Sequence, residues 1–232
     1  MRNKKRRLDT EERKDQILQI ATNIFYRDGY EKAPLREIAE RARFTKAAIY
    51  HHFKNKEEIL FNVISHHSGQ LISELKEISQ KEGDPVEELR EMLAKSIFSL
   101  EVNKASAKIL MEDRHFLNKK HETIINNQRQ EIFEIYMNKL KEIKSVGRLN
   151  DVNLAIATFS IAGAITFPYH WYDPGGEPSL EELVDNTMKI MFYGLIRDES
   201  RAILKEESEK KELKIQSRVD DWWKNSSFFR RR

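Results

Sequence analysis

Lys46, Tyr50, His51, Lys54 and Lys56 fall within eleven consecutive residues of the segment RFTKAAIYHHFKNK. They offer ammonium, hydroxyl and imidazole donors with no carboxylate among them. The chemistry open to such a set is neutralising and hydrogen-bonding phosphate oxygens and base edges, not moving protons on a substrate. Arg36 and Arg43 lie upstream, and Thr45 and Ala47 flank Lys46, so nine residues form the candidate nucleic-acid surface.

Side chains read a duplex only when a rigid element carries them. Leu35, Ile38, Ala39 and Ala42 repeat at i, i+3, i+4 and i+7, the stripe of a short amphipathic helix. Thr45 is a good N-cap for a second helix whose Ala48, Ile49 and Phe53 face inward, leaving Lys46, Tyr50, His51, His52 and Lys54 outside. Asn55 then caps a further helix with Glu58 at its third position, and Lys56 sits beside the backbone N–H groups there, suited to clamping a phosphate. Upstream, Ile17, Leu18, Ala21, Ile24 and Phe25 form the stripe of a first helix ended by Gly29. Any helix pair shows such periodicity, but three helices with this exposed chemistry predict a helix-turn-helix domain for the major groove.

Charge coincides with the motif. Residues 1–56 carry fifteen Lys or Arg against eight Asp or Glu, leaving the remainder net acidic within a chain total of +3. A basic reading domain joined to a mildly acidic body follows. Arg2, Lys4, Lys5, Arg6 and Arg7 are expected to form a flexible arm along phosphates or in the minor groove. Eight glycines and five prolines in 232 residues leave little room for a β-rich fold, so the class expected is all-α. With no cysteine, disulfides and thiol catalysis are excluded. Neither a glycine-rich phosphate loop nor a G-x-S-x-G turn is present, and no enzyme is expected. His66, His67, Glu112, Asp113, His115 and His121 cluster in sequence, yet adjacent histidines on a helix diverge by about 100° and no metal site is expected. No signal peptide is visible, and the uncharged stretch 152–172 holds too many polar residues for a membrane span, so the cytoplasm is expected.

Beyond residue 56 the chain reads as a helical body over 57–197 and a charged extension over 198–232. Ile59, Leu60, Val63, Ile64, Leu71, Ile72 and Leu75 mark a long bridging helix, stopped at Gly83-Asp84-Pro85. Helices are expected over 86–100, 104–117, 121–143, 150–170 and 179–196, the last opened by a Ser179/Glu182 capping box. The helix over 150–170 is apolar nearly all round, and the next carries a continuous apolar stripe. One chain supplies too few neighbours to cover both, so a homodimer is expected through Ala155, Phe159, Gly163, Leu183, Met188, Met191 and Phe192. In the extension, Trp222, Trp223, Phe228 and Phe229 are expected to dock on the body or on a partner subunit.

Ile17-Leu18, Ala21, Phe25, Gly29-Tyr30, Ile38-Ala39, Ala42, Thr45, Tyr50, His52-Phe53 and Lys56-Glu57 together resemble the N-terminal signature of TetR-family transcriptional repressors. The resemblance covers about the first sixty residues. It implies a homodimer that binds palindromic double-stranded operator DNA and responds to a small molecule held in the C-terminal domain. Two positions depart from the pattern: Arg43 stands where the turn usually has glycine, so a left-handed conformation there costs on the order of 1 kcal/mol, and Ala33-Pro34 replaces a usual Ser or Thr cap. A second stretch, Phe167 to Gly176 followed by Ser179-Leu180-Glu181-Glu182-Leu183, is similar to a segment of the subgroup that represses fatty-acid, steroid-ring and phenylacetate degradation. That likeness implies an acyl-CoA effector and no resident cofactor. A tunnel and cations for such a ligand are available in Phe98, Met111, Phe116, Phe133, Tyr136, Met137, Phe159, Tyr169 and Trp171, with Arg114 as the cation in an apolar setting. Each of these residues also suits a plain core. Regulation of an efflux pump, or acyl-CoA carriage without DNA, are the other readings.

Overall fold

The computed structural model describes residues 2–173 and 175–195, with side chains outside 2–10 and 100–103. Among the described residues eight α-helices and two 3-10 turns follow one another: α1 (Arg2–Asp28), α2 (Leu35–Ala42), α3 (Lys46–His52), α4 (Lys56–Ser79), α5 (Pro85–Glu112), a turn at Arg114–Phe116, α6 (Lys119–Ser145), α7 (Leu154–Thr166), a turn at Phe167–His170, and α8 (Leu180–Leu195). Among the described residues no helix is long and apolar enough to cross a membrane.

Local chemistry sets most of the boundaries. Thr45 accepts from the Ala48 N–H, Asn55 from Glu58, Asp84 from Val86, and Ser179 exchanges bonds with Glu182. Each satisfies N–H groups that the first turn leaves without a carbonyl. The α2–α3 turn is closed by Arg43 at φ 57°, a left-handed conformation held by its N–H to the Glu40 carbonyl at 3.1 Å. An L side chain there costs about 1–2 kcal/mol, which outweighs the extra unfolded-chain entropy of glycine, about 0.4–1 kcal/mol. Arg43→Gly is therefore expected to stabilise the chain by about 0.5–1 kcal/mol. The urea midpoint reads this, and an unchanged or lower midpoint contradicts the strain.

Two boundaries differ from expectation. The basic run Arg2 to Arg7 continues α1 as helix instead of forming a loose arm. The helices expected over 86–100 and 104–117 are one, α5, because the intervening LEVNK has no glycine or proline to stop it. Pro34 itself is the N-cap residue of α2 and offers no side-chain cap, so the first turn lacks the bond that a Ser or Thr would supply.

Two apolar clusters hold the molecule. The first joins Ile17, Ile24 and Phe25 of α1 to Ile38, Ile49, Ile59 and Leu60, and also takes in Ile109, Leu117 and Ile125 from the body helices. The second collects Leu75, Leu89, Leu93, Tyr136, Leu140, Ile161, Met188 and Phe192. The first two turns of α4 belong to one cluster and its last two to the other, so this helix is the mechanical link between them. The extension 198–232, with its four aromatics, lies outside the described residues.

Candidate nucleic-acid interface and effector body

Helix α3 is fixed from beneath by Ile49, fully buried, and by Phe53 just after its end. With those two inside, Lys46, Ala47, Tyr50 and His51 are left exposed on one side, together with Thr45 and Lys54 at the two ends. Tyr50 is 47% exposed and the Lys46 ammonium lies 5.9 Å from its ring centroid, so a cation and a phenol share one edge. His52 is half-buried, and burial followed by the neighbouring His51 lowers it, favouring the neutral ring. Arg36 is exposed on α2 and bonded to Glu40 at 2.7 Å, one turn along. Arg43 is exposed in the turn.

Lys56 departs from the phosphate clamp the sequence suggests. Its ammonium donates to the Glu31 carbonyl at 3.1 Å and sits 4.4 Å from the centre of the Tyr30 ring. Burial is the first cause lowering it from the ordinary lysine value, with Asp113 and Glu31 opposing. The side chain braces the α1–α2 turn by holding an aromatic face and a carbonyl of that turn together.

The effector candidates do not converge. Among the described residues a cavity of about 400 Å³ opens between α4 and α5, lined by His67, Gln70, Leu71, Ser73, Glu74, Lys95, Phe98 and Ser99. Of the candidates only Phe98 borders it. Burial holds the His67 imidazole down at about 4, so it is neutral there. Phe116 instead packs on Tyr30, ring centroids 5.0 Å apart, as part of the joint to the reading domain. Tyr136 is buried core: its hydroxyl donates to the Met92 carbonyl at 3.0 Å and bonds Ser96 at 2.8 Å. Met137 touches Thr158, Phe133 meets Phe159 at a tilt with centroids 4.7 Å apart, Tyr169 meets His170 likewise, and Trp171 packs against the second cluster. Met111 is 40% exposed. Arg114 is exposed rather than set in an apolar wall, and the neighbouring Asp113 bonds elsewhere, to the Tyr30 amide. No group of three or more described His, Asp or Glu side chains is gathered for a metal.

The expected dimer face divides in two. Leu183, Met188 and Phe192 are buried within the chain, with Arg90 of α5 lying 4.5 Å from the Phe192 ring. The strongest apolar stripe of α8 faces its own body, because α5 is the neighbour that covers it. Met191 is half-buried. Ala155, Phe159 and Gly163 are exposed along α7, and Ile156 and Ile190, absent from the expected set, are 67% and 68% exposed.

Phe61 and Asn118 were not singled out by sequence, and Glu57 and His121 entered only as part of the family signature and of the histidine cluster. Here the Glu57 carboxylate accepts from His121 Nδ1 at 2.9 Å and from both Asn118 nitrogens, while Phe61 stacks beneath the imidazole. The joint they form lies between helices whose pairing no local pattern announces.

A short helix with a cationic and phenolic outer face, presented by a three-helix head on an all-helical body, defines a helix-turn-helix regulator. Residues 17–63 match the family model described as bacterial regulatory proteins, tetR family, and residues 82–195 match the tetracyclin repressor-like C-terminal domain. The chain belongs to the TetR family of transcriptional regulators. It is 30% identical to a TetR/AcrR-family transcriptional regulator from Thermobifida fusca, covering 79% of this chain and 98% of that one with a TM-score of 0.67. It is 23% identical to the transcriptional repressor KstR2 of Mycolicibacterium smegmatis over 81% of this chain and 92% of the relative. The structure of AibR in complex with isovaleryl coenzyme A and operator DNA is 25% identical, covers 78% of this chain and 98% of that one, and gives a TM-score of 0.70.

Proposed function

We propose that the protein is a dimeric repressor that binds a palindromic operator through α3 and is released by an acyl-CoA, controlling fatty-acid or related acyl-CoA degradation. The observation that carries the DNA reading is the exposed row Lys46, Tyr50, His51 and Lys54 above a fully buried Ile49. A rigid floor and mobile donors are what a major-groove helix needs. The acyl-CoA reading is supported by the 167–183 segment and by a relative crystallised with isovaleryl-CoA and operator DNA.

The dimer reading rests on the exposed apolar side chains of α7 and α8. Ile156, Phe159 and Ile190 are each about two-thirds exposed, and Gly163 and Gly194 have open space where a Cβ would stand. A second copy of the same two helices covers such a face and makes the interface isologous. Two α3 helices then face one side of DNA, where major grooves recur about every 34 Å. An effector acts by tilting α4, which spans about 36 Å at the helical rise, so small movements in the body misalign both half-sites. To weaken operator binding a hundredfold, the effector must bind the misaligned state about 2.7 kcal/mol more tightly than the aligned one.

Tyr50→Ala tests the reading face. The exposed phenol contributes little to folding, so the melting temperature should hold while affinity for the protein's own upstream DNA falls about tenfold to a hundredfold. Fluorescence anisotropy measures both wild type and variant. Undiminished affinity in the variant removes α3 from the interface.

A further inference from the structure

The joint between body and head is concentrated on one acidic side chain. Glu57 lies in the first turn of α4, five residues after the end of the recognition helix α3 (Lys46–His52). The link between them is short and stiff: Asn55 caps α4, and Glu58 accepts the Lys54 N–H. Across the joint, Glu57 Oε1 accepts from the Asn118 backbone N–H at 3.0 Å, from Asn118 Nδ2 at 3.0 Å and from His121 Nδ1 at 2.9 Å, and Oε2 accepts from Asn118 Nδ2 at 2.9 Å. With Nδ1–H donated to Glu57, the Asn118 amide, 3.1 Å from the same ring nitrogen, directs its own N–H groups at the carboxylate. The His121 ring lies flat on Phe61, centroids 4.0 Å apart and planes 9° apart, so the imidazole is fixed from both edge and face.

Asn118 has two duties at once. Its Oδ1 caps α6 through the His121 N–H at 3.0 Å while its Nδ2 holds Glu57. A shift of the α6 start therefore moves the cap and the tie together. A second, weaker hold lies on the same elbow: Asp113 accepts the Tyr30 N–H at 3.3 Å and Phe116 packs on the Tyr30 ring. The Glu57 and His121 side chains are only 16% and 18% exposed, which shields their bond from solvent screening.

We propose that the Glu57–Asn118–His121 knot, seated on Phe61, is the positioning device through which the helical body sets the placement of α3 on DNA. This rests on the DNA-reading role given to α3 above. Glu57, Asn118 and His121 touch no DNA in this account and act only through the α3–α4 link. Because three donors converge on one carboxylate, removing Glu57 loses the whole hold at once, whereas removing His121 leaves the two Asn118 donors in place.

The test uses the full chain with Glu57→Ala, His121→Ala and the double variant, and with Glu57→Gln, which keeps volume and shape, as the guard against a folding failure. Affinity is measured on the protein's own upstream DNA and on unrelated DNA of equal length, beside amide hydrogen exchange. Glu57→Ala is expected to lose about tenfold in affinity for the upstream DNA and His121→Ala about threefold, both to stay within about twofold on unrelated DNA, and the double variant should lose no more than Glu57→Ala alone. Glu57→Gln should fall between. Exchange should quicken over 46–60 and stay unchanged over 154–166. The knot is overturned if the variants keep wild-type affinity, if the losses in the double variant multiply, or if exchange over 46–60 does not change. Wild-type protein that makes no distinction between the two DNAs sinks the DNA-reading proposal instead, and the exchange arm still judges the knot.

Discussion

Ile190→Glu, and Phe159→Glu beside it, are expected to split the protein into monomers and to weaken binding to its upstream DNA by about 10²- to 10⁴-fold. That is the range lost when two linked half-site contacts become one. In the single chain both positions are about two-thirds exposed, so a carboxylate there stays in water and folding stability changes by no more than about 0.5 kcal/mol. In the proposed dimer the same carboxylate enters an apolar interface. Burial of an unpaired ion is among the costliest single changes an interface can suffer. Ile190 is the cleaner site, because Phe159 also meets Phe133 and its loss removes a contact within the chain. Sedimentation velocity with circular dichroism separates the outcomes. A folded monomer that binds weakly supports the interface on α7 and α8, whereas a dimer of unchanged affinity moves the interface elsewhere.

Lys139→Ala is expected to destabilise the body by about 3–5 kcal/mol, the cost of leaving a buried charge without its partner. Lys139 on α6 is 3% exposed and Glu88 on α5 is 5% exposed, and the two form a direct ion pair. Glu142, at 2.6 Å, and the Ser79 carbonyl, at 3.5 Å, take further donors of the same ammonium. Burial lowers the ammonium's proton affinity, but Glu142 and Glu88 together reverse this and leave it above the ordinary lysine value. Removing the cation strands Glu88 between two helices with its solvation already lost. The paired change Lys139→Met with Glu88→Leu should recover most of the loss, since apolar side chains of similar volume fill the space without a desolvation cost. Urea unfolding monitored at 222 nm gives both numbers. A single variant within about 1 kcal/mol of wild type shows that Glu88 finds solvent or another donor.

Features fixed by a few neighbouring residues were legible in the sequence. The caps Thr45, Asn55, Asp84 and Ser179 are local bonds, and the left-handed Arg43 was legible only through the resemblance, as the position where the family turn usually has glycine. The buried stripe of α3 was equally readable, since Ile49 and Phe53 point inward by helical spacing alone. What the sequence misplaced were contacts that depend on a residue distant in the chain. Periodicity marks Leu183, Met188 and Phe192 as buried but cannot distinguish α5 of the same chain from a second copy. Lys56 carries the charge of a phosphate clamp, yet the Tyr30 ring and Glu31 carbonyl that hold it come from an earlier turn. The Glu57–His121 bond joins residues 64 positions apart, and no local pattern pairs them. Effector candidates chosen as aromatics on middle helices scatter, because an aromatic at helical spacing fills a core as readily as it lines a pocket.

The central claim is that operator binding is opposed by an acyl-CoA. The most direct measurement is a mobility shift of the full chain on its own upstream DNA, titrated with acyl-CoAs from short to long chain and with free coenzyme A as control. A discrete complex is expected, which one chain-length class dissolves while coenzyme A leaves it intact. A discrete complex that every acyl-CoA leaves unchanged contradicts the effector assignment, and the absence of any preferred complex contradicts the repressor itself.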